Sequence, residues 1–517
     1  MTGEIPWSEL TGFPVLSTLI GLPLVFMLAA LRADRAARAW AIGFAGAVAE
    51  LGVALFLLSR FDAGTADFQF TEHTVFLSLL NYHLGIDGIS LGFVLLTALL
   101  TVLVLLFREI GKDGPCGLFV ATVLACEATA MGMFLALDLA QFWIAACLEP
   151  WPIALILGRW GGGDPAGAAR RVYMRFAGMG LALLGGGILL LGLGHARATG
   201  IWSFDLAALL AAPPSGTLES LIFVLLFYGF SVRLAQFPLH GWLPIVAEQG
   251  VPATALAVLA GMKIGIYGLL RFVLPLLPNA VHEWTEWALG LALAGMFYGA
   301  VLALMQLNFR RLMAFATVSQ TGMLVAGVFA LNLEGLSGTL LLAFNFGAAG
   351  AGLFFIAGML RRRTGTLLLP RLGGLFESLP GPGLLFLVAA LSTIAMPGTP
   401  GFDAAHLLLE GLIESRGLGA AIAVAVGNVL AAGFLLWAFQ RIFLAHRRSH
   451  RPYRGWPPLQ WREHALIVSL CLVLLGVGFY TAPWLHLAHQ ALVRLAQVHS
   501  LPSAALPASA RPSAHPA

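Results

Sequence analysis

Apolar stretches of about 20 residues recur along the whole 517-residue chain, each long enough to cross the hydrocarbon core of a bilayer as a helix. No water is present there to satisfy backbone N–H and C=O groups, so such runs must pair them internally, and a helix does this within one segment. Composition agrees: 59% of residues are hydrophobic and 10% charged, too few charges to solvate a soluble surface. Soluble enzymes, nucleic-acid binders and secreted disulfide scaffolds are excluded.

The runs are placed at 14–31, 39–59, 86–107, 116–137, 139–158, 176–195, 218–236, 254–273, 286–306, 312–332, 336–360, 382–410, 417–440 and 464–485. The segment before the first is acidic and has no small-residue cleavage site, so that run is read as a span rather than a signal peptide. The loops after spans 1, 3, 5, 9, 11 and 13 hold 21 of the 29 basic residues. Opposite loops hold few, Arg60, Arg197, Arg271 and Arg416, and collect Glu4, Asp62, Glu72 and Asp205. The positive-inside rule then places the basic loops in the cytoplasm and both termini outside, which needs an even number of spans. Residues 486–499 are expected to form an interfacial helix, and the Pro/Ala/Ser-rich tail, 500–517, to be disordered. Cys116, Cys126, Cys147 and Cys471 show no CxxC spacing, and no dinucleotide, P-loop or haem motif occurs. No cofactor, metal or redox chemistry is therefore expected on the chain.

Two apolar segments are interrupted by Pro and Gly, at FPLHGWLP (Phe237–Pro244) and MPGTPGF (Met396–Phe402). One break in each half of a polytopic chain points to a transporter built from inverted repeats with discontinuous helices. Ionisable residues inside spans form the next layer, because each costs several kcal/mol unless it is paired or functional. Lys263 stands out as one of only two lysines, about nine residues from either end of its span. A buried lysine can release its proton, whereas arginine cannot. Glu149 and Arg233 are candidates for an acid–base pair, for which a static buried ion pair is an equal reading. Glu127 lies eleven residues before Asp138, on the same face if their helix is continuous. Asp403, His406 and Glu410 follow the second break at helical spacing, although Asp403 is also suited to capping the restarted helix. His240, in the first break, fits a structural histidine better than a relay.

The stretches NYHLGIDGISLGFVLLTALLT (Asn81–Thr101), FPLHGWLP, YGLLRF (Tyr267–Phe272), RRLMAFATVSQTGML (Arg310–Leu324) and MPGTPGF resemble the antiporter-like membrane subunit M of bacterial NADH-quinone oxidoreductase (complex I). That group is related to the multisubunit sodium/proton antiporters. The resemblance implies an all-α membrane protein with fourteen spans, inverted five-helix repeats, discontinuous helices 7 and 12, and a central polar axis for protons. It divides the chain into N-terminal helices (1–115), two repeats (116–273 and 274–440), and a C-terminal helix with an interfacial segment (441–499). Lys263 matches the family's central lysine, and Arg233 stands where the family has a span 7 lysine. Cys147 falls at the span 5 glutamate position, with Glu149 two residues on. Gln320 and Phe346, with Asn345 beside it, fall near family histidines. Ala405 replaces the span 12 acid, between Asp403 and His406.

The leading expectation is a non-redox, proton-translocating subunit of a complex I-type oxidoreductase in a bacterial cytoplasmic membrane. Its partners would be other membrane subunits, lipid and protons, with no nucleic acid. The altered axis leaves two further expectations. One is a proton-conducting partner in an inorganic-carbon uptake complex or cation/proton antiporter; the other is a scaffold that does not conduct. In the active readings, protons would pass through Lys263, Arg233, Glu149, Glu127, Asp403, His406, Glu410, Gln320 and His240.

Overall fold

The computed structural model describes residues 3–77, 80–107, 116–162, 165–251, 261–446 and 457–500. The expected disordered tail, the basic segment 447–456, the loop 108–115 and the first part of span 8 lie outside the described residues. In chain order the helices are α1 (Val15–Leu31), α2 (Ala36–Arg60), α3 (Gly88–Phe107), α4 (Cys116–Leu135), α5 (Leu139–Trp160), α6 (Pro165–Thr199), α7 (Thr217–Leu234) and α8 (Leu243–Gln249). They continue as α9 (261–268), α10 (Pro278–Leu304), α11 (Phe309–Val328), α12 (Leu333–Thr364), α13 (Pro380–Thr393), α14 (Pro400–Arg416), α15 (Leu418–Phe439), α16 (Trp461–Phe479) and α17 (Ala482–Ser500). Among the described residues, ten helices are long and apolar enough to cross a membrane, and α1 and α13 are shorter apolar helices.

Burial sorts these helices. In α3, α4 and α12, 78%, 83% and 89% of the apolar window is covered by protein, against 28–56% in the others. A helix that is apolar all round and half uncovered faces lipid, whereas one covered on every side is a pillar. The pillar α12 packs against α3, α11, α13, α14, α16 and α17. Close approaches use small residues: a Cβ at Gly322 would lie 2.4 Å from the Ala292 carbonyl oxygen, so α10 and α11 meet backbone to backbone.

Two expectations are corrected. The chain is not all helix: β1 (Glu4–Pro6) pairs parallel with β2 (Phe68–Leu77), which pairs antiparallel with β3 (Leu80–Ile86). The Glu72 carboxylate of β2 accepts from the Leu16 (2.8 Å) and Ser17 (3.1 Å) N–H groups, occupying the open N-terminus of α1 that Pro14 has no side-chain oxygen to cap. Arg271 is not in an outer loop. It lies buried in a π-turn after α9 (Leu269–Val273), ion-paired with Asp87 and bonded to Ser90 Oγ at 3.1 Å. Asp87 also caps α3, accepting from Ile89 and Ser90 N–H. Residues 486–499 lie within the helix α17, whose buried residues Ala488, Leu492, Leu495 and His499 fall on one stripe.

Candidate functional site

Both expected breaks are present, and they are built alike. α7 ends at Ala235 (φ 51°) and α13 runs out at Ala395 (φ 63°), each alanine in the left-handed region. In the first, Ala235 N–H donates to Val232 C=O (3.2 Å) and Gln236 N–H to Ser231 C=O (3.0 Å). In the second, Ala395 N–H donates to Ser392 C=O (3.4 Å) and Met396 N–H to Leu391 C=O (3.0 Å). This 5→2 and 6→1 pattern is the Schellman motif, here with Ala in place of the usual Gly. Carbonyls near the breaks find side-chain donors: Thr321 Oγ1 to Leu234 (3.1 Å), Trp242 Nε1 to Val232 (3.0 Å), Asn345 Nδ2 to Ser392 (2.9 Å) and Asn428 Nδ2 to Ile394 (3.2 Å). Irregular backbone at membrane depth is tolerated where protein supplies such partners.

Beside the first break, Arg233 and Glu149 form a buried ion pair, their side chains 9% and 5% exposed. The acid that meets Arg233 of α7 is therefore Glu149. Pro150 explains the geometry. It has no N–H, so the Ala146 carbonyl four residues back loses its helical partner. Arg233 Nη2 donates to that carbonyl at 3.0 Å while Nη1 binds Glu149. A forked guanidinium serves both acceptors at once, which a single ammonium does less well. The pair lines a cavity of about 30 Å³ with Tyr173, Trp242 and Gly261, room for one or two water molecules.

Lys263 lies two residues beyond Gly261, 3% exposed, and faces the protein interior rather than lipid. Its Nζ has no hydrogen-bond partner among the described residues. It lines a cavity of about 20 Å³ with Leu324, Phe346 and Gly347, walls that are otherwise apolar. The absence of a side chain at Gly347 makes this room: a Cβ there would lie 2.6 Å from Lys263 Cε and 2.9 Å from Nζ. Gln320, one helical turn before Leu324, is buried and its Oε1 is unpartnered among the described residues. Asn345, two residues before Gly347, exchanges two bonds with Ser392, through Ser392 Oγ (2.5 Å) and the Ser392 carbonyl. The interior thus runs from Glu149–Arg233, past Lys263 and near Gln320, to Asn345–Ser392 at the second break. A locked ion pair, a free amine and neutral hydrogen-bonding amides can position water and shift charge. His240 is buried among the rings of Phe237, Tyr298 and Phe315, with Nδ1 unpartnered among the described residues.

Other candidates fall elsewhere. Asp138 does not share a helix with Glu127: α4 ends at Leu135, and Asp138 caps α5 by accepting from Ala140 (2.8 Å) and Gln141 (3.0 Å) N–H. Asp403 is not the cap of α14, whose N-cap is Thr399; its carboxylate accepts a hydrogen bond from Thr481. His406 and Glu410 are exposed on the outer face of α14, while Ala404, Ala405 and Leu408 face inward. This trio therefore does not join the axis within this chain. Glu127 is fully buried, with both oxygens unpartnered among the described residues. Sequence reasoning missed Glu50, Gly347, Ser392 and the Asp87–Arg271 pair. Glu50, a single acid inside the apolar run 39–59, was the one with a readable signal.

A second polar cluster sits under the β-hairpin. His83 Nδ1 meets Asp205 Oδ2 at 2.5 Å and Nε2 lies 3.4 Å from Glu4. Burial works against the imidazolium, but the Asp205 bond and charge, with Glu4 and Asp138, hold the His83 pKa above its usual value.

The family model described as "NADH:quinone oxidoreductase/Mrp antiporter, TM" matches residues 136–431. NADH-quinone oxidoreductase subunit M of Escherichia coli (strain K12) is 33% identical over 427 residues, covering 81% of this chain and 83% of that protein. F(420)H(2) dehydrogenase subunit M of Methanosarcina mazei is 32% identical over 437 residues, covering 83% and 87%. Among solved structures, a chain of respiratory complex I from Thermus thermophilus superposes with a TM-score of 0.84 at 28% identity, covering 94% of this chain and 99% of that one. A chain of the Mrp complex from Dietzia sp. gives 0.81 at 20% identity, covering 94% and 99%, a likeness of fold.

Proposed function

Because the chain belongs to the NADH:quinone oxidoreductase/Mrp antiporter membrane family, we propose that it is a non-redox, proton-translocating subunit of a respiratory complex of that type. Redox subunits elsewhere supply the driving force, and other membrane subunits flank it. The single observation that carries this reading is Lys263, an interior amine with no fixed partner among the described residues, next to a locked Glu149–Arg233 pair. Charge changes at one site bias the other through the field between them, and the broken helices keep the interval polar. Arg233 stays charged and orients water; Lys263 exchanges the proton.

The matched breaks at Ala235 and Ala395 support the division into inverted repeats, 116–273 and 274–440, between N-terminal helices (1–115) and a C-terminal helix with its interfacial segment (441–499). Joining α7 with α8 and α13 with α14 as broken spans gives fourteen crossings, with both termini outside a bacterial cytoplasmic membrane. Replacement of the span 7 lysine by Arg233 favours, as the second reading, a carbon-uptake or cation/proton transport complex of the same fold. Co-purification from mild detergent decides between these: quinone-site and iron–sulfur subunits support the first, a carbonic-anhydrase-like partner the second. Lys263→Met abolishes coupled proton uptake by the assembled complex in proteoliposomes under either. Unchanged uptake leaves only the scaffold.

A further inference from the structure

Glu50 in α2 and Glu127 in α4 are each 0% exposed, and none of their four carboxyl oxygens has a hydrogen-bond partner among the described residues. The two helices run side by side in the same direction. A Cβ on Gly117 would lie 3.8 Å from Ala39 Cβ, and one on Gly43 would lie 2.1 Å from Val120 Cγ1. Two turns further along both helices, the same register sets Glu50 opposite Glu127. The carboxyls interact electrostatically, and the Thr101 hydroxyl of α3 lies beside Glu127 with its proton directed to the Thr97 carbonyl at 3.1 Å.

Among the described residues, no cation forms a hydrogen bond or ion pair with either carboxyl. Within α1–α4 the basic residues are Arg38 and Arg60, at the two ends of α2 and ten or more residues from Glu50. Lys263 and Leu96 of α3 both border Gly347, and Lys263 makes no hydrogen bond to either carboxyl. The remaining titratable neighbour, Cys126, is within electrostatic range of both Glu127 and Glu149. Two adjacent carboxylates in a dry, mid-membrane site cannot both ionise, so the pair must bind a cation, and the smallest one needs no cavity.

We propose that Glu50 and Glu127 form one proton-binding unit, two facing carboxyls between α2 and α4 whose protonation is coupled, one helix away from the Glu149–Arg233 pair. This deepens the proton-translocation reading by adding a store beside the axis, but its test measures protonation and not transport. The probe is the pH-difference infrared spectrum of the purified full chain in the carboxylic-acid C=O region, compared for wild type, Glu50→Gln, Glu127→Gln and the double variant. Coupled protonation makes each single variant move the band of the other carboxyl, so the two single-variant changes do not sum to that of the double. Additive losses of two unmoved bands overturn the proposal, as does loss of the wild-type band on adding sodium chloride at constant pH, which would assign the site to Na⁺. Glu410→Gln, on the outer face of α14, leaves the band in place. Glu50→Asp keeps a carboxyl and retains the band, and its loss there overturns the assignment.

Discussion

Gly347→Ala tests whether the room around Lys263 matters. The added methyl would sit 2.6 Å from Lys263 Cε, 2.7 Å from Leu96 Cδ2 and 2.9 Å from Nζ, where ordinary contact begins at 3.4 Å. The lysine end must therefore shift by about 0.8 Å or the helices must part. Overpacking of this kind costs about 1–3 kcal/mol, partly offset by the ~1 kcal/mol that Ala gains over Gly in a helix. Stability should fall by no more than about 2 kcal/mol, and the complex should assemble. Transfer geometry is less forgiving, since a displacement of about 1 Å can cost ~10²-fold in rate. Proton uptake in proteoliposomes is expected to drop at least tenfold. Gly352→Ala is the control on the same helix: its Cβ would meet Leu385, Leu470 and Ala389 at 3.6–3.8 Å, normal packing. Gly347→Ala combined with Lys263→Met should be no worse than Lys263→Met alone, since the glycine acts through the lysine. Equal uptake by Gly347→Ala and Gly352→Ala would refute the reasoning.

Removing one member of the Glu149–Arg233 pair leaves a buried charge; each of Glu149→Met and Arg233→Met should cost about 3–5 kcal/mol in detergent unfolding, and the double variant much less than their sum. Asn345→Leu strands Ser392 Oγ and its carbonyl, at about 1–3 kcal/mol per group, and hydrogen exchange should rise first around residues 392–396. The His83–Asp205 contact depends on pH in two directions. The raised His83 pKa contributes stability fully present below 6.5 and lost as pH rises from there through the higher folded-state value, and Asp205, bonded to His83 and lowered despite burial, contributes above 3.8 and loses it on acidification through its lower folded-state value. Protection of the hairpin amides should peak between these limits, and His83→Gln should remove the alkaline loss.

What the sequence discloses about this molecule is set by how local each signal is. Lys263 and the Pro/Gly breaks are legible because a lone charge or a helix breaker is anomalous in an apolar run, whatever surrounds it. The Glu149–Arg233 pairing is legible as charge complementarity, but its second acceptor is not: Pro150 frees a carbonyl that draws Arg233 to residues 146 and 149. The hairpin carries a weak alternation in FQFTEH that apolar-run counting passes over. The facing of Asp403, His406 and Glu410 was hidden for another reason. Helical spacing sets which residues share a face, but only packing tells whether that face turns inward, and here Gly338 of α12 takes up the opposite side of α14. Gly347 has no local signature at all, since its role exists only against a side chain 84 positions away.

The outward set of His406 and Glu410 has a consequence for the life of the polypeptide. A solitary copy embedded in bilayer would present a carboxylate and an imidazole to its surroundings from the flank of α14. An acid held in hydrocarbon costs about 2.5–3.5 kcal/mol by insertion scales, a strain relieved once a polar neighbour docks there. An orphan chain would carry this cost for as long as that flank stays uncovered, so the outward residues favour the assembled state over the solitary one.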